Sequence, residues 1–176
     1  MSKAVYPGSF NPVHLGHIHI MGQAALLFGS VTVLIAVNPE KVYKVPAEAR
    51  RELILGMIEG FPWANKVKVD ITDKTLMEYC GKKRIPVIVR GVRNGNDLEY
   101  ERSQREYSMR LGNPGFPVSY VYLAPDVSLD YLSSTYVRNF IKYCTPLQLG
   151  TLYNSSLFGE VLPFGEASRM AELYKE

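Results

Sequence analysis

Three groups of residues in this chain have types and spacings suited to phosphate chemistry. The first is Tyr6-Pro7-Gly8-Ser9-Phe10-Asn11-Pro12-Val13-His14-Leu15-Gly16-His17. Gly8 lets the backbone approach a ligand closely, Ser9 adds a hydroxyl, and His14 and His17, three apart, can share one side of a helical turn. The second is Arg90-Gly91-Val92-Arg93. Each guanidinium is a planar fork that can hold two phosphate oxygens at once. The third is Ser133-Ser134-Thr135, joined by the ammonium of Lys41. Each group has a plainer reading. Gly8 and Pro12 suit an ordinary turn, the arginines can pair with Asp97, Glu99 or Glu101, and the hydroxyls can cap a helix. Zinc on His14, His17 and His19 is disfavoured, because His19 is rotated by about 100° per residue from its neighbours and no Cys or acidic ligand lies near.

These residues need elements to position them. Ala4-Val5-Tyr6 is a short apolar run ending at Pro-Gly, a buried strand entering a turn, and Gly16 to Phe28 reads as a helix. That places the first group at a strand–loop–helix junction, where unpaired N–H groups and the helix dipole favour anions. Val31 to Val37 is dense enough in β-branched residues for a central parallel strand, and Ala47 to Gly60 follows Pro46 as a helix. Val67 to Asp70 is a strand, Thr72 is expected to cap a helix over Asp73–Lys83, and Pro86 to Arg90 is a strand. Asp97 to Leu111 is a charged helix, Val118 to Leu123 a fifth strand, and a helix runs from Ser133 to about Tyr143. Short helices are expected at Leu147–Leu152 and Ala167–Tyr174.

Alternating strands and helices with short connections imply an α/β fold: one domain, 1–176, Rossmann-like and doubly wound, with a five-stranded parallel sheet and helices on both faces. Residues 146–176 form its C-terminal helical extension. Ligands in such sheets bind beyond the carboxyl ends of the strands, where Ser9, His17, Lys41, Arg90 and Arg93 all fall.

With 176 residues, 47% hydrophobic, and a net charge of +3, the chain suits one globular domain with a substantial core. The mild charge, with Lys82-Lys83-Arg84 as its only basic run, argues against a nucleic-acid binder. No secretory or membrane-length apolar segment is evident, and Cys80 and Cys144 have no metal or redox spacing. Free thiols in a reducing cytoplasm are expected, with no membrane partner.

The first group resembles the HxGH signature of the nucleotidyltransferase superfamily. Arg90-Gly-Val-Arg-Asn-Gly-Asn-Asp-Leu-Glu-Tyr-Glu101 is similar to the RGxR…D-[FL]-E-Y-E segment of phosphopantetheine adenylyltransferases, and Tyr131-Leu-Ser-Ser-Thr-Tyr-Val-Arg138 to their aromatic-ISSS/T-x-V-[RK] motif. Leu76-Met77 stands at their leucine–methionine pair. The resemblance covers about Lys3 to Pro146. It implies adenylyl transfer from ATP to 4′-phosphopantetheine, giving dephospho-coenzyme A and pyrophosphate. Magnesium would be bound through ATP rather than by a protein cage. Ser9 and Lys41 would hold the attacking phosphate with Arg90 beside it, and His17 would stabilise the α-phosphate. Gly91, Arg93, Ser133, Ser134 and Thr135 would grip the β- and γ-phosphates. Phe10, His14, Val92, Glu101, Leu129, Asp130, Tyr131 and Leu132 would complete the ATP side, and Leu76 and Met77 the pantetheine side. A homohexamer is implied, with coenzyme A as a feedback ligand.

Departures bear on the acceptor. His14 stands where those enzymes generally have threonine and matches mononucleotide and cytidylyl transferases; Asn11 replaces an aspartate, and Ser9 a threonine. A nicotinamide or nicotinate mononucleotide adenylyltransferase is therefore the alternative enzyme. A non-catalytic nucleotide-binding protein on the same fold is the alternative from another class.

Overall fold

The computed structural model describes residues 2–37, 42–153 and 164–175. Five strands, β1 (Lys3–Gly8), β2 (Ser30–Ala36), β3 (Val67–Thr72), β4 (Val87–Gly91) and β5 (Ser119–Leu123), form one sheet in the order β3-β2-β1-β4-β5. Every pairing is parallel. The helices are α1 (Leu15–Phe28), α2 (Ala47–Ile58), α3 (Leu76–Lys83), α4 (Gly95–Leu111), α5 (Ser134–Tyr143), α6 (Pro146–Tyr153) and α7 (Phe164–Tyr174).

Alternation along the strands divides the core between two faces, because successive side chains point to opposite sides of a sheet. Ala4, Tyr6, Val31, Val33, Ile35 and Val89 pack with Leu15, Ile18 and Met21 of α1, Leu53 and Ile54 of α2, Val137 and Ile141 of α5, and Met170 of α7. Val5, Leu34 and Ile88 face the other way, onto Met77, Tyr79 and Cys80 of α3. Helices thus cover both faces, as a doubly wound fold requires. Cys80 and Cys144 are free thiols, and burial pushes Cys80 up to about 11, so it packs as a neutral thiol.

Local chemistry sets the helix ends. Gly29 stops α1 in the left-handed conformation (φ 75°), its N–H bonding to the Ala25 carbonyl. The expected cap at Thr72 is corrected: Thr72 closes β3, and Thr75 caps α3 instead. Its hydroxyl accepts the Glu78 N–H while the Glu78 carboxylate accepts the Thr75 N–H at 2.9 Å. This reciprocal pair needs a Thr-x-x-Glu spacing, which Thr75–Glu78 has and Thr72 lacks. Similarly α4 begins at Gly95, two residues early, because the Asn94 side chain accepts the Asp97 N–H. Among the described residues, no helix is long and apolar enough to cross a membrane.

The strand order reverses between β1 and β4: from β1 the chain adds strands outward through β2 to β3, and from β4 it adds β5 on the other side. A crevice opens at that point outside the carboxyl ends of a parallel sheet. Gly8 closes β1 and Gly91 closes β4.

Candidate functional site

A cleft of about 300 Å³ occupies that crevice, lined by Tyr6 of β1, His14, Gly16, His17 and Ile20 of the loop and α1, Gly91 of β4, Arg93, Asp97, Tyr100 and Glu101 of the following segment, and Pro125, Ser133 and Ser134. Side chains that are far apart in sequence meet here because parallel strands deliver all their carboxyl ends to one edge.

His14 is the N-cap of α1, in extended conformation, and His17 is the third residue of the helix. The His14 backbone N–H donates to Nδ1 of His17 at 3.2 Å. An accepting Nδ1 carries a lone pair, so the proton of neutral His17 resides on Nε2. The two imidazoles lie with centroids 3.7 Å apart and planes tilted by 31°, and Phe10 meets His17 edge-on at 5.0 Å. Burial, followed by the charge of Arg93, pulls His17 down to about 3. Burial also holds His14 well below the usual range, with His17 and Arg93 pushing the same way. Both rings are therefore neutral near pH 7, and His17 can offer a fixed N–H donor.

The two arginines are held by carboxylates of α4. Arg90 makes a two-pronged pair with Glu101, NH2 to Oε1 at 2.8 Å and Nε to Oε2, and its NH1 donates to the Pro7 carbonyl at 3.1 Å. Arg93 pairs with Asp97 through Nε at 2.8 Å and NH2 at 3.2 Å, and NH1 reaches the Leu132 carbonyl at 3.0 Å. The Asp97 carboxyl is pulled below its ordinary value first by the Arg93 hydrogen bond. A guanidinium has five N–H donors. Among the described residues these bonds use three on each arginine, and the other two on each are available to a ligand.

The hydroxyl cluster is tied into the fold by a helix cap and two further hydrogen bonds. Ser133 caps α5, its Oγ accepting the Tyr136 N–H at 3.0 Å. Ser134 donates to the Pro12 carbonyl at 2.8 Å, and Thr135 accepts from Arg138 at 2.9 Å. Of the three, Ser133 and Ser134 line the cleft.

His14, His17, Gly91, Arg93, Glu101, Ser133 and Ser134 are thus brought together, as their motifs suggested. Others are placed elsewhere. Phe10 is buried, bracing His17 and Tyr6 from behind. Ser9 is exposed on the loop, its carbonyl taken by Arg50. Arg90 and Val92 flank Gly91, and the Val92 N–H bonds to the Leu123 carbonyl. Leu129 and Leu132 are buried in the core, whereas Asp130 and Tyr131 are exposed. Leu76 is half-buried and Met77 wholly buried against Val5 and Leu34, on the α3 face of the sheet, and neither lines this cleft. Lys41 lies outside the described residues.

Motif reasoning missed several contributors. Tyr6 places its ring in the cleft wall, and burial raises its hydroxyl pKa, keeping it protonated. The signal was available, since Tyr6 ends an apolar strand that enters the loop. Asp97 was weighed only as a possible partner for the arginines; its i,i+4 spacing from Arg93 was the clue. Arg50 donates to the Ser9 carbonyl and left no trace, and Arg138 closed the Tyr131–Arg138 motif without its bond to the Asn11 carbonyl being foreseen, because a backbone carbonyl has no sequence signature. Among the described residues, no cluster of three or more His, Cys, Asp or Glu could hold a metal ion.

A model of the cytidylyltransferase-like family matches residues 5–140. The chain is 35% identical over 145 residues to phosphopantetheine adenylyltransferase of Aquifex aeolicus, covering 82% of this chain and 86% of the relative. It is 31% identical over 176 residues to the enzyme of the same name from Caldanaerobacter subterraneus subsp. tengcongensis, covering 100% and 99%. Among solved structures, Plasmodium falciparum nicotinic acid mononucleotide adenylyltransferase complexed with NaAD aligns with a TM-score of 0.56 at 13% identity, covering 84% of this chain and 87% of that one. The last likeness is one of fold.

Proposed function

The chain belongs to the cytidylyltransferase-like family, and we propose that it transfers the adenylyl group of ATP to 4′-phosphopantetheine, forming dephospho-coenzyme A and releasing pyrophosphate. The observation that carries this is the segment from Arg90 to Glu101: its glycine closes β4 at the sheet's switch point, with both arginines locked to carboxylates of α4. The curated relatives of that name, at 31–35% identity over most of the chain, support the same acceptor.

A phosphate oxygen of the acceptor attacks the α-phosphorus; that P–O bond forms as the bond to the bridging oxygen of pyrophosphate breaks. The nucleophile is already an anion, so the site needs no general base, and the rate comes from alignment and charge stabilisation. His17 donates its Nε2–H to an α-phosphate oxygen, in a tautomer fixed by the His14 N–H. Arg93 and the start of α5 at Ser133 and Ser134 hold the departing phosphates, with Gly91 admitting them. Thr135 stands behind them, tied to Arg138. Ser9, Arg90 and Lys41 take the acceptor phosphate. Because Glu101 and Asp97 offset the two arginines, the substrate enters as MgATP, its own cation balancing part of the phosphate charge.

The same proposal takes residues 1–176 as one domain, with 146–176 as an extension, working as a cytoplasmic homohexamer. Support for assembly comes from α4: it buries no residue, yet exposes Tyr100, Tyr107, Met109 and Leu111.

His14, which lines the cleft beside His17 and matches mononucleotide transferases at that position, favours a second acceptor, nicotinamide or nicotinate mononucleotide. Pyrophosphate release from purified protein with MgATP, offering each acceptor separately, distinguishes them. Release with phosphopantetheine alone is expected. Release with a mononucleotide alone moves the assignment to the second reading, and ATP binding without release under any acceptor points to a non-catalytic nucleotide binder.

A further inference from the structure

We propose that Tyr174, the last residue of α7, is a positioning residue for the phosphate-binding loop, acting through its hydrogen bond to Asn11. This rests on the adenylyl-transfer reading for its kinetic consequence, but its geometric basis is independent of the acceptor.

The backbone of the loop between β1 and α1, from Ser9 to Pro12, is gripped from outside the loop by side chains of other elements. Arg50 of α2 donates to the Ser9 carbonyl, Arg138 of α5 to the Asn11 carbonyl, and Ser134 of α5 to the Pro12 carbonyl. These three grips act on the main chain and accept any residue there. The fourth depends on side-chain identity: the Tyr174 hydroxyl donates to Oδ1 of Asn11 at 2.7 Å. It reaches across 163 positions of sequence, from the far end of the chain to the first motif.

The hydroxyl is confined to that role. Tyr174 is buried among Met170, Ala171 and the helices they touch, and the guanidinium groups of Arg50 and Arg138 are its charged neighbours. Burial raises its pKa despite those cations, so it remains an O–H donor. Facing two groups that only donate, it finds its acceptor in Asn11. The backbone carbonyl of Lys175 is itself held by the Lys44 ammonium at 3.3 Å, so the end of α7 is anchored on both sides. Asn11 lies three residues before the His14 cap and six before His17. A fixed Asn11 therefore sets where α1 begins and where the His17 N–H points. Small displacements at a phosphoryl-transfer site act on kcat through alignment.

The pair also makes a chemical distinction. Tyrosine needs an acceptor at position 11, which asparagine and aspartate provide and leucine does not. Phenylalanine at 174 keeps the ring in the core and removes only the donor.

The test uses the full chain as Tyr174→Phe, Asn11→Leu, the double variant and Asn11→Asp. Turnover of MgATP with phosphopantetheine is measured alongside amide hydrogen exchange of the peptide covering residues 8–18. Tyr174→Phe is expected to lower kcat by about three- to tenfold, the equivalent of one net hydrogen bond, with KM for ATP within about twofold. The double variant should lose no more than the worse single one, Asn11→Asp should keep most of the turnover, and the loop peptide should exchange faster in Tyr174→Phe. Losses that multiply in the double variant, or loop exchange unchanged in Tyr174→Phe, would overturn the latch. If the wild-type chain transfers to no acceptor, the adenylyl-transfer reading has failed. The exchange experiment then decides the latch alone: faster loop exchange upholds it, and unchanged exchange rejects it.

Discussion

In the proposed transfer His17 serves as a donor, and it is fitted to that role because it is kept from becoming a cation. A protonated imidazole would attract phosphate more strongly but would also repel Arg93, and burial disfavours the charged form further. A neutral ring with its Nδ1 occupied has one N–H left, aimed by the helix turn itself. Replacing His17 by alanine removes that donor while leaving the α1 N-terminus free to form. The expected result is a fall in kcat by roughly two to three orders of magnitude, the usual cost of one preorganised donor to a developing charge, with unchanged circular dichroism. Turnover near that of wild type would exclude His17 from the transition state. His14 and His17 were recognisable from their three-residue spacing. Their neutrality was not, because it depends on burial and on Arg93, which arrives from 76 positions away and is visible only once the chain is folded.

Among the elements, α4 is the most informative. Its residues are polar or exposed, so packing contributes little to holding it, and its place is set by a cap and two ion pairs. The Arg90–Glu101 pair is well shielded, with side-chain exposures of 20% and 13%. Glu101→Gln leaves the guanidinium half-buried against a neutral amide, at a cost of about 1–3 kcal/mol, below that of breaking a fully buried pair. Urea denaturation measures it, and a midpoint equal to wild type would mean the pair is solvated in solution. All five strands could be read within two residues of their ends, since dense β-branched runs such as Val31–Val37 have few alternatives. Strand order could not, because the reversal between β1 and β4 depends on which distant strands pair. Nor could the burial of Met77: at helical spacing beside Leu76 it looks the same whether it faces a ligand or the sheet. The Thr75–Glu78 box was legible, and was obscured by the hydroxyl of Thr72 three residues earlier.

For the whole molecule, two properties follow from what is exposed and what is buried. The apolar side chains on α4 predict a sedimentation coefficient above that of a monomer, and Met109→Glu with Leu111→Glu should shift it downward; a wild-type monomer at micromolar concentration would rule out assembly. Stability against pH follows from the histidines. In the unfolded chain each titrates near its ordinary value of about 6.5. In the folded chain His17 titrates at about 3 and His14 well below its usual range. Between those limits the unfolded state binds protons that the folded state refuses, so stability rises with pH across that window and is lost on acidification below about pH 6.5. Each histidine contributes a slope of up to roughly 1.4 kcal/mol per pH unit. Asp97, with its depressed pKa, adds to the loss only under more acidic conditions, as it becomes protonated. Glu166, raised by burial, opposes it by taking up a proton more readily when folded. His14 and His17, with His19 lowered in the same direction by burial, outweigh one half-buried carboxyl in the range from pH 6.5 to 5. The melting temperature is therefore expected to fall steadily from pH 7 to 5, and His17→Gln, which keeps an N–H donor but cannot titrate, should flatten that decline. A wild-type melting temperature constant across this range would mean that the histidines are charged or solvated in the folded protein, and the neutral-donor role of His17 would go with it.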